Sequence, residues 1–304
     1  MHMADSLISP AVAGTMYVAS GLMAAYSIHK LRKDEDLKRK IPTMGVMGAF
    51  VFATQMINFT IPGTGSSGHL CGGLLLTSIL GPYAGFLSMI GVLLIQCLFF
   101  ADGGILSLGA NIWNMAFYGC FLGSLIWKMF MKKDISKKKI MISSILGSII
   151  TLQLVIGAVE GLITSAVLCF VYEARPELLW NPNNVQKAES KMSYKKVIAI
   201  LACLFVIIGG GVSLVASSNP DGLEWSIQKI TGSTEIEEKD KEIYEKAEQV
   251  QESTLILPDY SFKENESTIG TSVSGIVGCG ITVAVLCGIG YIIKLTRKKE
   301  KLNG

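Results

Sequence analysis

From Ile41 to Ala101 the chain contains no Asp, Glu, Lys or Arg. A bilayer core takes about 20 apolar residues per helical crossing, so this charge-free run holds roughly three spans and excludes an ordinary soluble domain. Histidine is nearly absent, at three residues, and none of the seven cysteines forms a CxxC pair. A disulfide framework and a thiolate metal site are thereby removed. No GxxxxGK(S/T) phosphate loop occurs, so the chain encodes no ATPase of its own. No Lys or Arg precedes the first apolar stretch in MHMADSLISP, which argues against a cleaved signal peptide.

What is present is apolar and patterned. Half of the residues are hydrophobic and the mean hydropathy is +0.47. Further uncharged stretches cover Ala11–Ile28, Gly103–Trp127, Ile140–Val159, Gly161–Tyr172, Val197–Pro220 and Ser267–Ile293. The loops Lys30–Lys40 and Lys128–Lys139 carry six basic residues each, which marks both as cytoplasmic and places the amino terminus outside. These clusters are topogenic; no nucleic-acid partner is expected. Parity then asks for an outward span Pro42–Ile61, a short inward span Leu70–Leu80, an outward span Tyr83–Ala101 and a return over Ile105–Trp127. Eleven residues reach only about 16 Å as a helix, so the preceding PGTGSSGH loop is expected to dip into the membrane. Irregular backbone at that depth must be buried in protein or line a cavity. Ile140–Tyr172 reads as two short crossings with a break near Gly157. The last two spans, Val197–Ala216 and Ser272–Ile293, bracket an external segment, Ser217–Thr271, holding thirteen acidic residues against five lysines. The expected architecture is an all-α integral membrane protein with about seven transmembrane helices, some short, and one dipping loop. Two further transmembrane helices follow in a C-terminal domain. The expected division is 1–180, a cytoplasmic linker 181–196, and 197–304.

The few histidines then gain meaning. A free amine on Met1 followed by His2 is a compact chelator. The amine and the His2 backbone nitrogen close a five-membered ring around a metal, and that nitrogen with the imidazole Nδ1 closes a six-membered one. The planar position left open suits His69, which the dipping loop carries to the bottom of an outward-facing pocket. Retention of Met1 is expected, because histidine is too large a second residue for removal of the initiator methionine. Four nitrogens in a square favour Ni(II) or Cu(II) and admit Co(II). The third histidine, His29, sits at the basic end of the first helix and reads as a solvated interface residue.

The start MHMADSLISP, the stretch GSSGHLCGGLLLTSILGPYAGF, then LLIQCLFFADGGILSLGANIWNM and EGLITSAVLCFVYEARPELL resemble, in order and spacing, the CbiM/NikM substrate-binding (S) subunits of energy-coupling factor (ECF) transporters. The resemblance spans Met1 to about Leu179. The tail with ASSNPDGLEW is similar to the small CbiN/NikN partner that carries a PDGLE motif, here fused over roughly Ser193 to the end. The resemblance implies uptake of Co(II) or Ni(II) as transported substrate across a bacterial cell membrane, with no cofactor. It implies ligation by Met1, His2 and the position matching His69. It also implies partners encoded elsewhere: a transmembrane coupling protein (EcfT/CbiQ/NikQ-like) and ATPase subunits (CbiO/NikO-like). Cobalt and nickel both fit.

Other residues carry smaller expectations. Asp5, Ser66, Ser67, Gln96, Asn111 and Asn114 are candidates to support the metal ligands by hydrogen bonds. Gly63 to Gly68 formally matches GxGxxG, but no βαβ unit surrounds it, so a dinucleotide role is rejected. Glu160 is expected at the turn between two short helices and Asp102 in a structural Gly-rich turn. Gly21 and Ala25, four apart, offer a close-packing face toward the coupling protein. The acidic run Glu235–Glu252 reads as an amphipathic or unfolded connection, and Pro220–Glu224 as a cap on the pocket mouth or a contact to the binding loop. Two rival readings are a membrane-embedded enzyme using Glu160 or Asp102, and a metal sensor that does not transport. The enzyme reading lacks a nucleophile–base set, so the reading as a non-enzyme is preferred, and neighbouring genes for an ATPase and a coupling permease would separate transport from sensing.

Overall fold

The computed structural model describes residues 2–152, 154–181, 189–217, 219–233, 241–262 and 268–303. Helix α1 (Pro10–Arg32) starts on a proline whose missing N–H leaves no helix bond unmade, and ends in His29, Lys30 and Arg32, which suit a helix C-terminus. Helix α2 (Leu37–Gln55) is buried without interruption from Thr43 to Gln55. A helix apolar on every face has to be surrounded, and α2 packs against α4 (Pro82–Phe100), α9 (Tyr194–Gly210) and α12 (Thr268–Asn303). It starts five residues before the expected Pro42 and ends at Gln55.

Between α2 and α4 the chain makes its shortest elements. Strands β1 (Phe59–Ile61) and β2 (Ser66–Gly68) pair antiparallel, with Thr60 opposite Ser67. The expected irregular dipping loop is thus a tight hairpin, turned by Gly63 and Gly65 at positive φ. Strand β2 is fully buried while the turn 62–65 is exposed, and the Ser67 N–H finds its acceptor outside the hairpin, on the Pro220 carbonyl. Helix α3 (Gly73–Leu80) follows with all eight residues buried, three residues shorter than the expected Leu70 start. Beyond α4, helix α5 (Leu108–Asn111) passes directly into a π-helical run, Ile112–Leu122, and then α6 (Gly123–Phe130).

Helices α7 (Lys137–Thr151) and α8 (Leu154–Ala174) form an antiparallel pair. The chain breaks at Leu152, which is extended, and not at Gly157. Gly157 lies inside α8, where a Cβ would stand 2.5 Å from the Ser148 carbonyl oxygen; one at Gly161 would stand 2.5 Å from the Ile145 Cα. These glycines mark close packing of two helices rather than a turn. Glu160 is accordingly inside a helix and buried, not at a turn.

The tail adds α9, then α10 (Gly222–Thr231) and α11 (Lys241–Thr254), then α12. Of the acidic run Glu235–Glu252, residues 235–240 lie outside the described residues and the rest is helix α11. Among the described residues five helical segments are long and apolar enough to cross a membrane: Pro10–Arg32, Pro82–Phe100, Leu154–Ala174, Tyr194–Val215 and Ile269–Arg297. The chain is an all-α, multi-pass membrane protein in which one β-hairpin is embedded.

Candidate metal-binding site

The segment before α1 runs inward because its backbone is gripped. The Met3 N–H donates to the Asn111 Oδ1 at 2.9 Å, and the Met3 carbonyl accepts from Asn111 Nδ2 at 3.3 Å. The same carbonyl accepts from the Gly104 N–H at 3.1 Å and from the Ser107 hydroxyl. Four bonds on one residue fix the direction of the preceding one. The His2 side chain is delivered into the protein with 4% exposure, its Nδ1 2.7 Å from Asp102 Oδ1.

His69 arrives from the opposite side, on the residue after β2. Its Nδ1 lies 2.9 Å from the Leu70 carbonyl, which only accepts, so Nδ1 carries the proton and Nε2 the lone pair. The two imidazoles stack with ring centres 5.2 Å apart and planes 19° from parallel. Burial pushes the His69 imidazole down to about 3, so the ring is neutral near pH 7. Burial alone would raise the Asp102 carboxyl. The His2 ring, His69 beyond it and the Tyr260 hydroxyl at 2.6 Å outweigh that and hold it below the ordinary carboxylate range.

Both histidines line a cavity of about 970 Å³. Seven carboxylates share its wall: Asp5 and Asp102 from the first part of the chain, and Asp221, Glu224, Glu245, Glu248 and Asp259 from the tail. Among the described residues neither Lys nor Arg lines it. The tail is held there by specific bonds. The Ser67 N–H donates to the Pro220 carbonyl at 2.8 Å, and its hydroxyl to the Asn219 carbonyl at 2.7 Å. Asp221 accepts from the N–H groups of Leu223 and Glu224 while the Glu224 carboxylate accepts from Asp221 N–H, a capping box that starts α10. Tyr244 donates to the Ile8 carbonyl at 2.8 Å, and Gln251 to the carbonyls of Cys97 and Gly103, both at 2.9 Å.

Of the residues expected in the site, His2 and His69 come together, and Met1 lies outside the described residues. Asp5 lines the cavity and accepts from Ser107 N–H at 2.9 Å. Ser66 bonds Thr64 and Ser67 bonds the tail, both away from the cavity wall. Asn111 serves Met3, and the exposed Asn114 reaches only the Met3 sulfur, at 3.7 Å. Gln96 is buried outside the cavity wall, its carbonyl receiving the Asp102 N–H. Asp102 and Gln55 were not picked out for the site. The signal for Asp102 was a carboxylate in a strained turn, between Ala101 at φ 59° and Gly103 at φ 87°. Among the described residues no three His, Cys, Asp or Glu side chains are grouped to hold a metal ion. A chelate of two imidazoles with backbone nitrogens is not such a group.

Fold and site together define a multi-pass membrane protein with a buried two-histidine pocket, roofed by its own tail. Residues 2–154 match the model of the cobalt uptake substrate-specific transmembrane region, CbiM, and residues 195–295 match the PDGLE domain. A protein of Archaeoglobus fulgidus assigned as a fused nickel transport protein, NikMN, is 32% identical over 94% of this chain and 96% of its own length. The fused nickel transport protein NikMN of Rhodobacter capsulatus is 29% identical over 73% of this chain and 63% of its own. A solved transition metal transporter is 28% identical, with a TM-score of 0.45 over 67% of this chain and 88% of that one. The chain belongs to the CbiM/NikM family of cobalt and nickel transport proteins, in the form that carries a PDGLE domain on the same polypeptide.

Proposed function

We propose that the protein is the substrate-binding subunit of an ATP-driven ECF importer that captures Ni(II) or Co(II). It would work in a bacterial cell membrane with its amino terminus outside. The observation that carries this reading is the stacked pair of buried imidazoles, His2 and His69, at the wall of a cavity with seven carboxylates and, among the described residues, no Lys or Arg. Two imidazoles on adjacent corners of a square metal, with bonds of about 2.0 Å, have ring centres about 4.5 Å apart. The 5.2 Å separation is a small adjustment away. The Met1 amine, the His2 amide nitrogen and the His2 Nδ1 supply three donors and His69 Nε2 the fourth. Binding turns the His2 Nδ1 from Asp102 onto the ion, and the carboxylate then faces the cation's charge. Protons compete for amine, amide and imidazole, so affinity falls in acid. Transport further needs an EcfT/CbiQ/NikQ-like coupling protein and CbiO/NikO-like ATPases.

The enzyme reading finds less support. Glu160 is occupied by two backbone N–H groups, and Asp102 by His2 and Tyr260. Metal titration of the purified protein tests the site, comparing wild type with a variant extended by one residue before Met1. The extension keeps every side chain but displaces the amine, and affinity should collapse. Unchanged affinity and stoichiometry reject the chelate. Radiolabelled nickel uptake, lost on omitting either coupling protein or ATPase, tests the importer assignment.

A further inference from the structure

We infer that Glu160 and Gln55 are positioning residues: a two-sided clamp on the Cys71 peptide that sets the direction of His69. The inference rests on the ligand role proposed for His69. The Glu160 carboxylate, buried in the middle of α8, accepts the Cys71 N–H at 2.6 Å and the Gly72 N–H at 3.2 Å. Gln55, the last residue of α2 and equally buried, donates its amide to the Cys71 carbonyl at 2.7 Å. One peptide unit is therefore held at both its N–H and its C=O, from two helices far apart in sequence. His69 is tied to that unit through a single intervening residue, and its ring bonds the carbonyl of that residue, Leu70.

The surroundings leave this run little freedom. Gly72 stands at φ +81°, where a Cβ would lie 2.6 Å from the Val51 side chain, so the backbone is pressed against α2. The freed N–H groups at the start of α3 have no water to turn to. A carboxylate suits them twice over, as an acceptor for two donors and as a charge at a helix N-terminus. A glutamine in its place keeps one acceptor and turns an NH₂ group toward the second N–H. Capping α3 alone would need only Glu160. Gln55 on the opposite side of the peptide is what converts a cap into a fixed orientation, and its Oε1, buried with no partner, belongs to a side chain that lines the metal cavity. The clamp also joins the ligand to the α7–α8 pair. A shift of α8 against α2 pulls the two grips apart and loosens His69.

The test is a double-mutant cycle on the full-length protein, titrated with Ni(II) alone and read by affinity and by the visible absorption of the bound ion, which reports the number of nitrogen donors. Supporting groups behind a metal ligand are commonly worth 10–100-fold in affinity. Glu160→Gln should weaken Ni(II) binding by that order and move the absorption toward that of His69→Ala. In the His69→Ala background Glu160→Gln should have no further effect. Gln55→Met, which removes the other grip without touching α8, should act in the same direction and supplies the answer if Glu160→Gln does not fold. A wild-type affinity and spectrum for both single variants, with His69→Ala impaired, overturns the clamp alone. A loss that persists undiminished without His69 also overturns it, because the effect is then on the fold at large. An unimpaired His69→Ala overturns the ligand assignment itself.

Discussion

Met3 is not among the proposed ligands, yet its main chain is held by four hydrogen bonds. Asn111 matches both faces of its peptide, as a neighbouring strand would, and Gly104 and Ser107 complete the grip. Replacing Asn111 by Leu keeps the volume and removes both bonds, leaving a buried N–H without its acceptor at a cost of about 1–3 kcal/mol. That cost falls on the arrangement that delivers His2, so Asn111→Leu should weaken nickel binding by roughly tenfold or more by isothermal titration. Asn114→Leu, which among the described residues gives up only a hydrogen bond to the Met3 sulfur, should bind as wild type. If the two variants behave alike, the continuous helix that carries both residues matters and the Asn111 amide does not. His69 gives a second expectation. Its folded value of about 3 lies below the usual 6.5, so a loop that opens takes up a proton that the closed one refuses. The closed state is fully stabilised above about pH 6.5 and loses about 1.4 kcal/mol per pH unit as pH falls from there toward 3. Hydrogen exchange at 66–72, corrected for intrinsic rates, should rise by roughly tenfold or more between pH 7.5 and 5. His69→Gln should abolish the rise, and a rise that survives the substitution places the titrating group elsewhere.

At the scale of elements, the pairing of α7 with α8 exposes what the sequence conceals. A glycine in an apolar run reads equally as a break or as a contact, and only the neighbouring backbone decides between them. With a Cβ position 2.5 Å from the Ile145 Cα, Gly161→Ala forces the helices apart and should cost about 1–3 kcal/mol, seen as a lower melting temperature in detergent. An unshifted melt would return Gly161 to the status of a spacer. The same ambiguity explains the Glu160 misplacement: a carboxylate looks interfacial until its donors, 89 and 88 residues away, are in view. The apolar helices were legible because a long charge-free run expresses a strong physical constraint locally, and the structure also brings His2 and His69 side by side. The hairpin was not, since three-residue strands separated by glycines carry no alternation to read, and β1 is closed by pairing alone. Asp102 was hidden for the opposite reason. Its neighbours in sequence give it a sufficient job in a turn, and the one it has depends on Tyr260 and His2, from opposite ends of the chain.

Over the whole molecule, the tail and the first part of the chain complete one another at the cavity. Five of the seven wall carboxylates belong to the tail, and Gln251, Tyr244 and Ser67 anchor it across the opening. A low-dielectric cleft lined by one sign of charge concentrates counter-ions and raises their rate of arrival. The exposed pair Glu245 and Glu248 on α11 enters no described bond to the histidines, so neutralising it should change arrival without changing the grip. Stopped-flow mixing of Glu245→Gln/Glu248→Gln with Ni(II) should show association slowed several-fold at low salt, with dissociation unaltered. The difference should close near 1 M salt, where the screening length shrinks to about 3 Å and surface charges no longer act at range. Equal association rates at low salt would mean that the roof acts through its shape and bonds, and that the ion is drawn in by Asp5 and Asp102 beside the ligands.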